Sequence, residues 1–204
     1  MLRARRRLLE SWLAPIRAET ATVVDVGAGG RPYTALLRSD ARYVAVDREP
    51  SRGPDVVADI VSLPFVTASV DLVLCTQVLE YVPEPWRAVE QLRTILRPGG
   101  TCIVTVPSIF PTDGSQHWHY VAGGLAHLFR DFASCEVVPE IGTLATLARS
   151  TAIVVGMADA KARSRLVTPV ARTVVAGLNV AGRLADRVSG NQHMVANFAV
   201  RAVR

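Results

Sequence analysis

Two glycines follow an apolar run near the start of the chain and could hold a ligand. The run Val23–Val26 leads into Gly27 and Gly29, and Pro32 follows. Because glycine has no side chain, a ligand can approach the backbone closely there. A dinucleotide-binding loop would need a third glycine where Pro32 stands, so an NAD-dependent oxidoreductase is disfavoured. A tight turn between a strand and a helix is the alternative for this segment alone.

Two acidic residues follow later apolar runs. Asp47 comes 20 residues after Gly27, where a carboxylate can accept hydrogen bonds from both ribose hydroxyls. Asp59 follows the next run, and Leu63 belongs to an apolar turn that suits an adenine edge. Loops after parallel strands meet at the carboxyl edge of a sheet, so these residues together predict a nucleoside site. Either acid alone would more often be a helix cap or a solvated turn residue.

The elements that must position these residues alternate between strand and helix. Five apolar runs predict strands, at Thr22–Val26, Tyr43–Val46, Val56–Ala58, Val70–Cys75 and Cys102–Val106. Helical patterns lie at Trp86–Leu96 and about Val121–Phe132, and two last strands are predicted at Val137–Val138 and Val195–Val203. Such alternation predicts an α/β fold with a mostly parallel sheet.

Composition and charge limit the function classes. Half of the 204 residues are hydrophobic and a fifth are charged, which fits a single globular domain over residues 1–204. No apolar stretch is long enough to span a bilayer, and the Arg-rich start lacks the apolar core of a signal peptide, so we predict a cytoplasmic protein. Residues 20–142 hold nine Arg against fourteen acidic residues, which disfavours specific binding of nucleic acid.

The motifs, taken together and in order, resemble the class I S-adenosylmethionine (SAM)-dependent methyltransferases. The resemblance runs from Val23 to about Phe132 and rests also on Val70–Val73, Val78–Val82 and Leu96–Gly100. It implies SAM as cofactor and a Rossmann-like, doubly wound, mostly parallel seven-stranded sheet with an antiparallel last strand. The residues that it implies for SAM binding are Asp25, Gly27, Ala28, Gly29, Asp47, Asp59, Ile60, Leu63, Thr76 and Gln77.

Two departures from the family pattern bear on catalysis. Tyr81 stands where many relatives have His, and His119 replaces an Arg in a pattern that Trp118 and Tyr120 match. His117 and His119 follow the fifth strand on the expected acceptor side, and neutral imidazole suits a general base. We therefore predict His119, with His117, as the base, and exposed loop histidines are the alternative. With only Asp113 nearby, the two histidines make an incomplete ligand set, so no metal site is predicted.

Two basic segments flank the acidic part of the chain. Residues 1–19 place Leu9, Trp12 and Leu13 at helical spacing, which predicts an amphipathic helix that packs on the core as a lid. Residues 143–190 resemble a helical insertion before the last strand, with an apolar stripe opposite arginines such as Arg172 and Arg183. Such a helix fits an anionic membrane surface, but also its own domain or a second subunit in a homodimer.

The preferred function is O-methylation of a small or lipid-linked acceptor such as a sugar hydroxyl. Methylases with a comparable insertion occur among modifiers of cell-surface glycans and lipid-linked sugars, and the resemblance points to them. The insertion then predicts peripheral contact with the inner face of the membrane. A methylase of a soluble metabolite or natural product, and a SAM-binding module without catalysis, are the alternatives. The missing His at Tyr81 is the only support for the inactive module.

Overall fold

A seven-stranded sheet organises the protein. The computed structural model describes residues 2–14, 21–37, 40–109, 114–148, 150–151, 153, 173–177, 180–182, 184–186 and 194–204. The strands are β1 Thr22–Val26, β2 Arg42–Asp47, β3 Val56–Val57, β4 Val70–Thr76, β5 Leu96–Pro107, β6 Ser134–Pro139 and β7 Asn197–Val203. The helices are α1 Leu2–Leu13, α2 Pro85–Ile95 and α3 Ala122–Leu128.

The strand order explains where a ligand can bind. The order is β3-β2-β1-β4-β5-β7-β6, with β1 to β5 parallel and β7 antiparallel to both β5 and β6. The chain moves outward from β1 to β3 and then returns to β4 on the other side of β1. In such a sheet, ligands bind at the carboxyl ends of the strands where the order reverses. The predicted Rossmann-like α/β fold with an antiparallel last strand is confirmed.

Helices cover both faces of the sheet because the central strands are apolar on both sides. In β4, Leu72 and Leu74 belong to one core cluster, and Val73 and Cys75 to the other. The cluster with Leu72 and Leu74 packs under α1, whereas α2 and α3 contribute to the cluster with Val73 and Cys75. Burial on both faces explains why β4 reads as a continuous apolar run instead of an alternating one.

The helix α1 packs on a face of the sheet and does not line the cleft described below. Leu9, Trp12 and Leu13 are buried, as their helical spacing requires. Arg5 is also buried, and its Nε lies 2.6 Å from Oε1 of Glu140, just after β6. The amphipathic pattern indicates that one side of this helix is buried, but it contains no information about which surface covers it.

Several element boundaries differ from the sequence-based expectations. Pro32 begins no α-helix among the described residues, and a short 3₁₀ turn at Thr34–Leu36 follows β1 instead. The strand β5 begins at Leu96, directly after α2, because the extended Leu96 pairs with Val70 before a register shift. The helix α3 ends at Leu128, earlier than the helical pattern indicated.

The described part of the 143–190 segment is helical and packs on its own domain. Residues 143–148 form one helical stretch, and Asp186 accepts hydrogen bonds from the N–H groups of Leu144 (2.9 Å) and Ala145 (3.0 Å). An added Cβ at Gly182 would lie 2.8 Å from the Leu144 carbonyl oxygen, so the two helical stretches are in close contact. Arg172 and Arg183, like Asp113, lie outside the described residues. Among those described, no helix has the length and hydropathy needed to cross a membrane.

Candidate active site

A cleft of about 660 Å³ opens at the carboxyl ends of β1, β2, β3 and β4. Its lining is drawn from Val26 and Gly27, from residues 47–52, 58–61 and 77–84, and from Ser115. Four separate strand-to-loop junctions therefore meet around one space, as the strand order predicts.

The turn after β1 brings the backbone to the edge of the cleft. Gly27 has φ +70° and Gly29 has φ +49°, which side-chain-bearing residues rarely adopt. A Cβ on Gly27 would lie 2.2 Å from Cγ2 of Val78, so the packing of this turn against Val78 also requires glycine. The N–H groups of Gly27 and Ala28 both donate to the carbonyl oxygen of Val46, which fixes the turn against β2.

Asp47, the last residue of β2, presents a carboxylate to the cleft. Its Oδ2 accepts a hydrogen bond from the Gly29 N–H (3.2 Å) and its Oδ1 accepts one from the Glu49 N–H (3.0 Å). Each carboxylate oxygen has two acceptor positions, so the carboxylate keeps capacity for two further donors. The two backbone donors hold its orientation. This arrangement fits the two hydroxyls of a ribose.

The turn after β3 supplies a polar and an apolar group side by side. Asp59 is exposed and lines the cleft, with its Oδ1 bonded to the Val61 N–H at 3.0 Å. Ile60 lines the cleft as well but is buried. Leu63 is buried below the turn and does not reach the lining. Together the turn offers an apolar contact and an acceptor, which fits the face and the edge of a purine.

Five of the residues that resemblance implied for the cofactor support the cleft without lining it: Asp25, Ala28, Gly29, Leu63 and Thr76. Asp25 is buried and accepts a hydrogen bond from the Tyr43 hydroxyl at 2.7 Å. Burial raises the pKa of Asp25 to about 6, although the Tyr43 hydroxyl opposes the rise. Asp25 therefore lies behind the glycine turn.

The segment after β4 forms the opposite wall, and the loop before α3 is bonded to it. The carbonyl oxygen of Glu80 accepts hydrogen bonds from the N–H groups of His117 (2.7 Å) and Trp118 (3.2 Å). The Tyr120 hydroxyl donates to the carbonyl oxygen of Leu79 at 2.9 Å. His117 and His119 themselves are exposed, and neither side chain lines the cleft. Both histidines thus lie in the loop that is bonded to this wall.

Glu80 is a residue of this wall whose burial the sequence did not reveal. It is 1% exposed, and its Oε2 has no hydrogen-bond partner within the described chain. Burial raises the pKa of Glu80 to about 7, against a smaller opposing effect of its own backbone N–H. A glutamate next to Leu79 and Tyr81 in the sequence gives no sign of such burial, because the 3₁₀ turn that buries it forms only under the loop before α3.

The described residues contain no group of three or more His, Cys, Asp or Glu side chains that could hold a metal ion. Of the three cysteines, Cys75 and Cys102 are buried and Cys135 is half-buried, and all are unpaired.

Comparisons with known proteins agree with this architecture. Residues 24–104 match a family model described as a methyltransferase domain. An uncharacterized methyltransferase of Mycobacterium avium (strain 104) is 34% identical over 52% of this chain and 48% of its own length. The chain thus spans about half the length of the curated relatives it matches.

Solved structures share the fold over nearly the whole chain. A SAM-dependent methyltransferase from Archaeoglobus fulgidus superimposes with a TM-score of 0.61 at 12% identity, over 98% of this chain and 94% of that one. The 1,6-didemethyltoxoflavin-N1-methyltransferase of Burkholderia thailandensis gives a TM-score of 0.57 at 17% identity, over 98% and 77%. Residues 24–104 thus match a methyltransferase domain, and the whole chain has the fold of the SAM-dependent methyltransferases to which it is compared.

Proposed function

We propose that the protein binds SAM in the cleft and transfers its methyl group to an oxygen of a small or lipid-linked acceptor, such as a sugar hydroxyl. The orientation of the Asp47 carboxylate, held by two backbone N–H groups at the cleft edge, is the observation that carries SAM binding. The close approach allowed at Gly27 and the apolar contact of Ile60 suit the rest of a nucleoside. The match of residues 24–104 to a methyltransferase domain supports the same cofactor.

The residues of the cleft have a limited task in this reaction. When bound, SAM supplies an electrophilic methyl group, which the acceptor oxygen takes as the carbon–sulfur bond breaks and its electron pair stays on sulfur. The protein must align the acceptor oxygen with that carbon and exclude water. The acceptor's proton must leave, and His119 is the proposed group that receives it, with His117 as its neighbour.

An aromatic pair beside the cleft supports an acceptor with an apolar face or chain. Trp86 and Trp118 are 53% and 38% exposed, and their rings meet edge to face at 6.3 Å between centroids. The Trp118 Nε1–H donates to the carbonyl oxygen of Pro83, and Pro83 lines the cleft. Exposed indole rings can pack on a sugar face or a lipid chain. A soluble metabolite remains the alternative acceptor.

The first prediction concerns Asp47. The purified protein should bind SAM and S-adenosylhomocysteine in calorimetry, with no comparable affinity for NAD. Replacing Asp47 with alanine should raise the SAM dissociation constant at least about tenfold, because a hydrogen bond to a charged group contributes about 1.5–3 kcal/mol. Asp131→Ala, in the exposed turn after α3, is the control and should bind SAM normally. Absence of SAM binding by the wild type would refute the proposed function.

The second prediction concerns the proposed base. His119→Ala should lower turnover by about 10²-fold or more and leave SAM affinity unchanged, since a general base acts on the transition state and not on the cofactor. His127→Ala, on the exposed side of α3, is the matched control. Equal turnover in His119→Ala would show that this histidine is only a loop residue.

The third prediction concerns peripheral membrane contact, which we propose for residues 143–190. This segment has seven basic and two acidic residues, and its described part exposes Val174, Val180 and Leu184. Apolar side chains beside basic ones favour the interface of an anionic bilayer. Sedimentation should show binding that increases with the anionic lipid content of liposomes and decreases with salt.

A paired substitution tests which surface is responsible. Val180→Ser with Leu184→Ser should reduce liposome binding, whereas Val66→Ser, exposed in the turn before β4, should not. SAM affinity should persist in both variants. If the wild type ignores anionic liposomes at low salt, the membrane contact is wrong, and light scattering then decides whether the same face forms a dimer.

A further inference from the structure

Several buried polar atoms near the β4 end of the cleft lack hydrogen-bond partners in the described part of the protein. They are Nε2 of Gln77, Oε2 of Glu80, Oγ1 of Thr105 and Oε1 of Gln116. A buried polar group without a partner reduces stability, and most buried polar groups in folded proteins are paired. Of these four residues Gln77 lines the cleft, where a ligand could supply the missing partner.

Backbone hydrogen bonds bring these residues together. The Gln77 N–H donates to the carbonyl oxygen of Thr105 at 2.8 Å, which joins the end of β4 to β5. The bonds from His117 and Trp118 to the Glu80 carbonyl oxygen hold the neighbouring Gln116 against the same wall. The Gln116 Nε2 lies 3.4 Å from the Tyr81 hydroxyl, to which it donates.

Gln77 and Tyr81 line the cleft itself. Gln77 also has φ +59°, a conformation that is unfavourable for a residue with a side chain and that persists only where the surroundings enforce it. Gln77 lies across β1 from Asp47, so this end of the cleft is separate from the proposed ribose contact.

We propose that Gln77, Tyr81 and Gln116 form a subsite that binds the hydroxyl group of the methyl acceptor. A hydroxyl both donates and accepts a hydrogen bond. The Gln77 Nε2 offers a donor and the Gln116 Oε1 an acceptor, and the Tyr81 hydroxyl can take either role. The side chains of Gln77, Tyr81 and Gln116 can thus satisfy both hydrogen-bonding roles of a hydroxyl. The assignment rests on the proposed function, since it gives the acceptor end of the same cleft.

A purely structural role makes a different prediction. If Gln116 and Tyr81 only held the loop before α3, then removing their polar atoms would reduce stability. If the Gln116 Oε1 instead waits for a ligand, Gln116→Met removes a buried acceptor that lacks a partner, which offsets the loss of the 3.4 Å hydrogen bond from Nε2 to the Tyr81 hydroxyl. Gln116→Met and Tyr81→Phe are the variants, and Gln91→Met on α2, away from the cleft, is the control.

The test combines stability, cofactor binding and turnover. We expect the melting temperature of Gln116→Met to equal or exceed that of the wild type by up to about 2–4 °C. SAM affinity should stay within about threefold in Gln116→Met and Tyr81→Phe, while kcat/KM for octyl α-D-mannopyranoside or octyl β-D-glucopyranoside falls at least about tenfold. The wild type should not methylate octylamine, which has the same chain but no hydroxyl. Gln91→Met should match the wild type in kcat/KM.

If the protein binds SAM, any of three results would contradict the assignment of this subsite to the acceptor hydroxyl. One is a lower melting temperature in both Gln116→Met and Tyr81→Phe than in Gln91→Met, and another is an unchanged kcat/KM in both of them. The third is that the wild type methylates octylamine but neither glycoside, or that it methylates none of the three probes. A wild-type protein that fails to bind SAM would instead reject the proposed function, so the two failures are distinguishable.

Discussion

Replacing Gly27 with alanine should destabilise the protein by about 3 kcal/mol or more and weaken SAM binding at least about 10²-fold. The left-handed conformation at φ +70° costs a residue with a Cβ about 1–2 kcal/mol. The new Cβ would also lie 2.2 Å from Cγ2 of Val78, and overpacking of this kind costs about 1–3 kcal/mol. Relief of that contact would displace the wall after β4 toward the cleft.

Two further variants separate the conformational cost at Gly27 from the steric contact with Val78. Gly30→Ala is the matched control, because no atom lies within 4 Å of its added Cβ and its φ is not positive. Val78→Ala combined with Gly27→Ala should recover the part of the loss that comes from the steric contact but not the conformational part. Urea unfolding and SAM calorimetry measure both quantities. A Gly27→Ala protein with wild-type stability and SAM affinity would contradict the packing described for this turn.

Replacing Glu80 with glutamine should remove most of a pH dependence of stability worth about 2–3 kcal/mol between pH 5 and pH 8.5. Burial raises the pKa of Glu80 from 4.5 to about 7, so the folded state binds this proton more tightly than the unfolded chain does. The resulting stabilisation is fully present below about pH 4.5 and is lost as the pH rises through about 7. Glutamine resembles the protonated form at every pH.

The comparison needs unfolding free energies at both ends of this range. The wild type should lose stability from pH 5 to pH 8.5 relative to Glu80→Gln, and Glu90→Gln, exposed on α2, should follow the wild type. A smaller dependence of the same sign should persist in Glu80→Gln, because burial also raises the pKa of Asp25 to about 6. Parallel curves for the wild type and Glu80→Gln would show that Glu80 is ionised in the folded protein at neutral pH.

The sequence by itself determined the elements and the position of the cofactor end of the cleft. Strands β1, β4 and β5 contain apolar runs because burial on both faces leaves few polar residues in them. Asp47 and Asp59 were identified from their place after such runs, since the carboxyl ends of parallel strands must meet at one edge. Gly27 was identified because only glycine suits both the conformation and the close approach.

Only the tertiary structure decided which side chains of these motifs reach the cleft. Asp25 and Thr76 lie in the same motifs as Gly27 and Gln77, but their strand positions place them behind the lining. The burial of Glu80 and the unpaired Oε1 of Gln116 depend on a loop that is close in space and distant in sequence. Local periodicity determines which face of an element is apolar, whereas contacts between distant segments determine what covers that face and which polar atoms are left without partners.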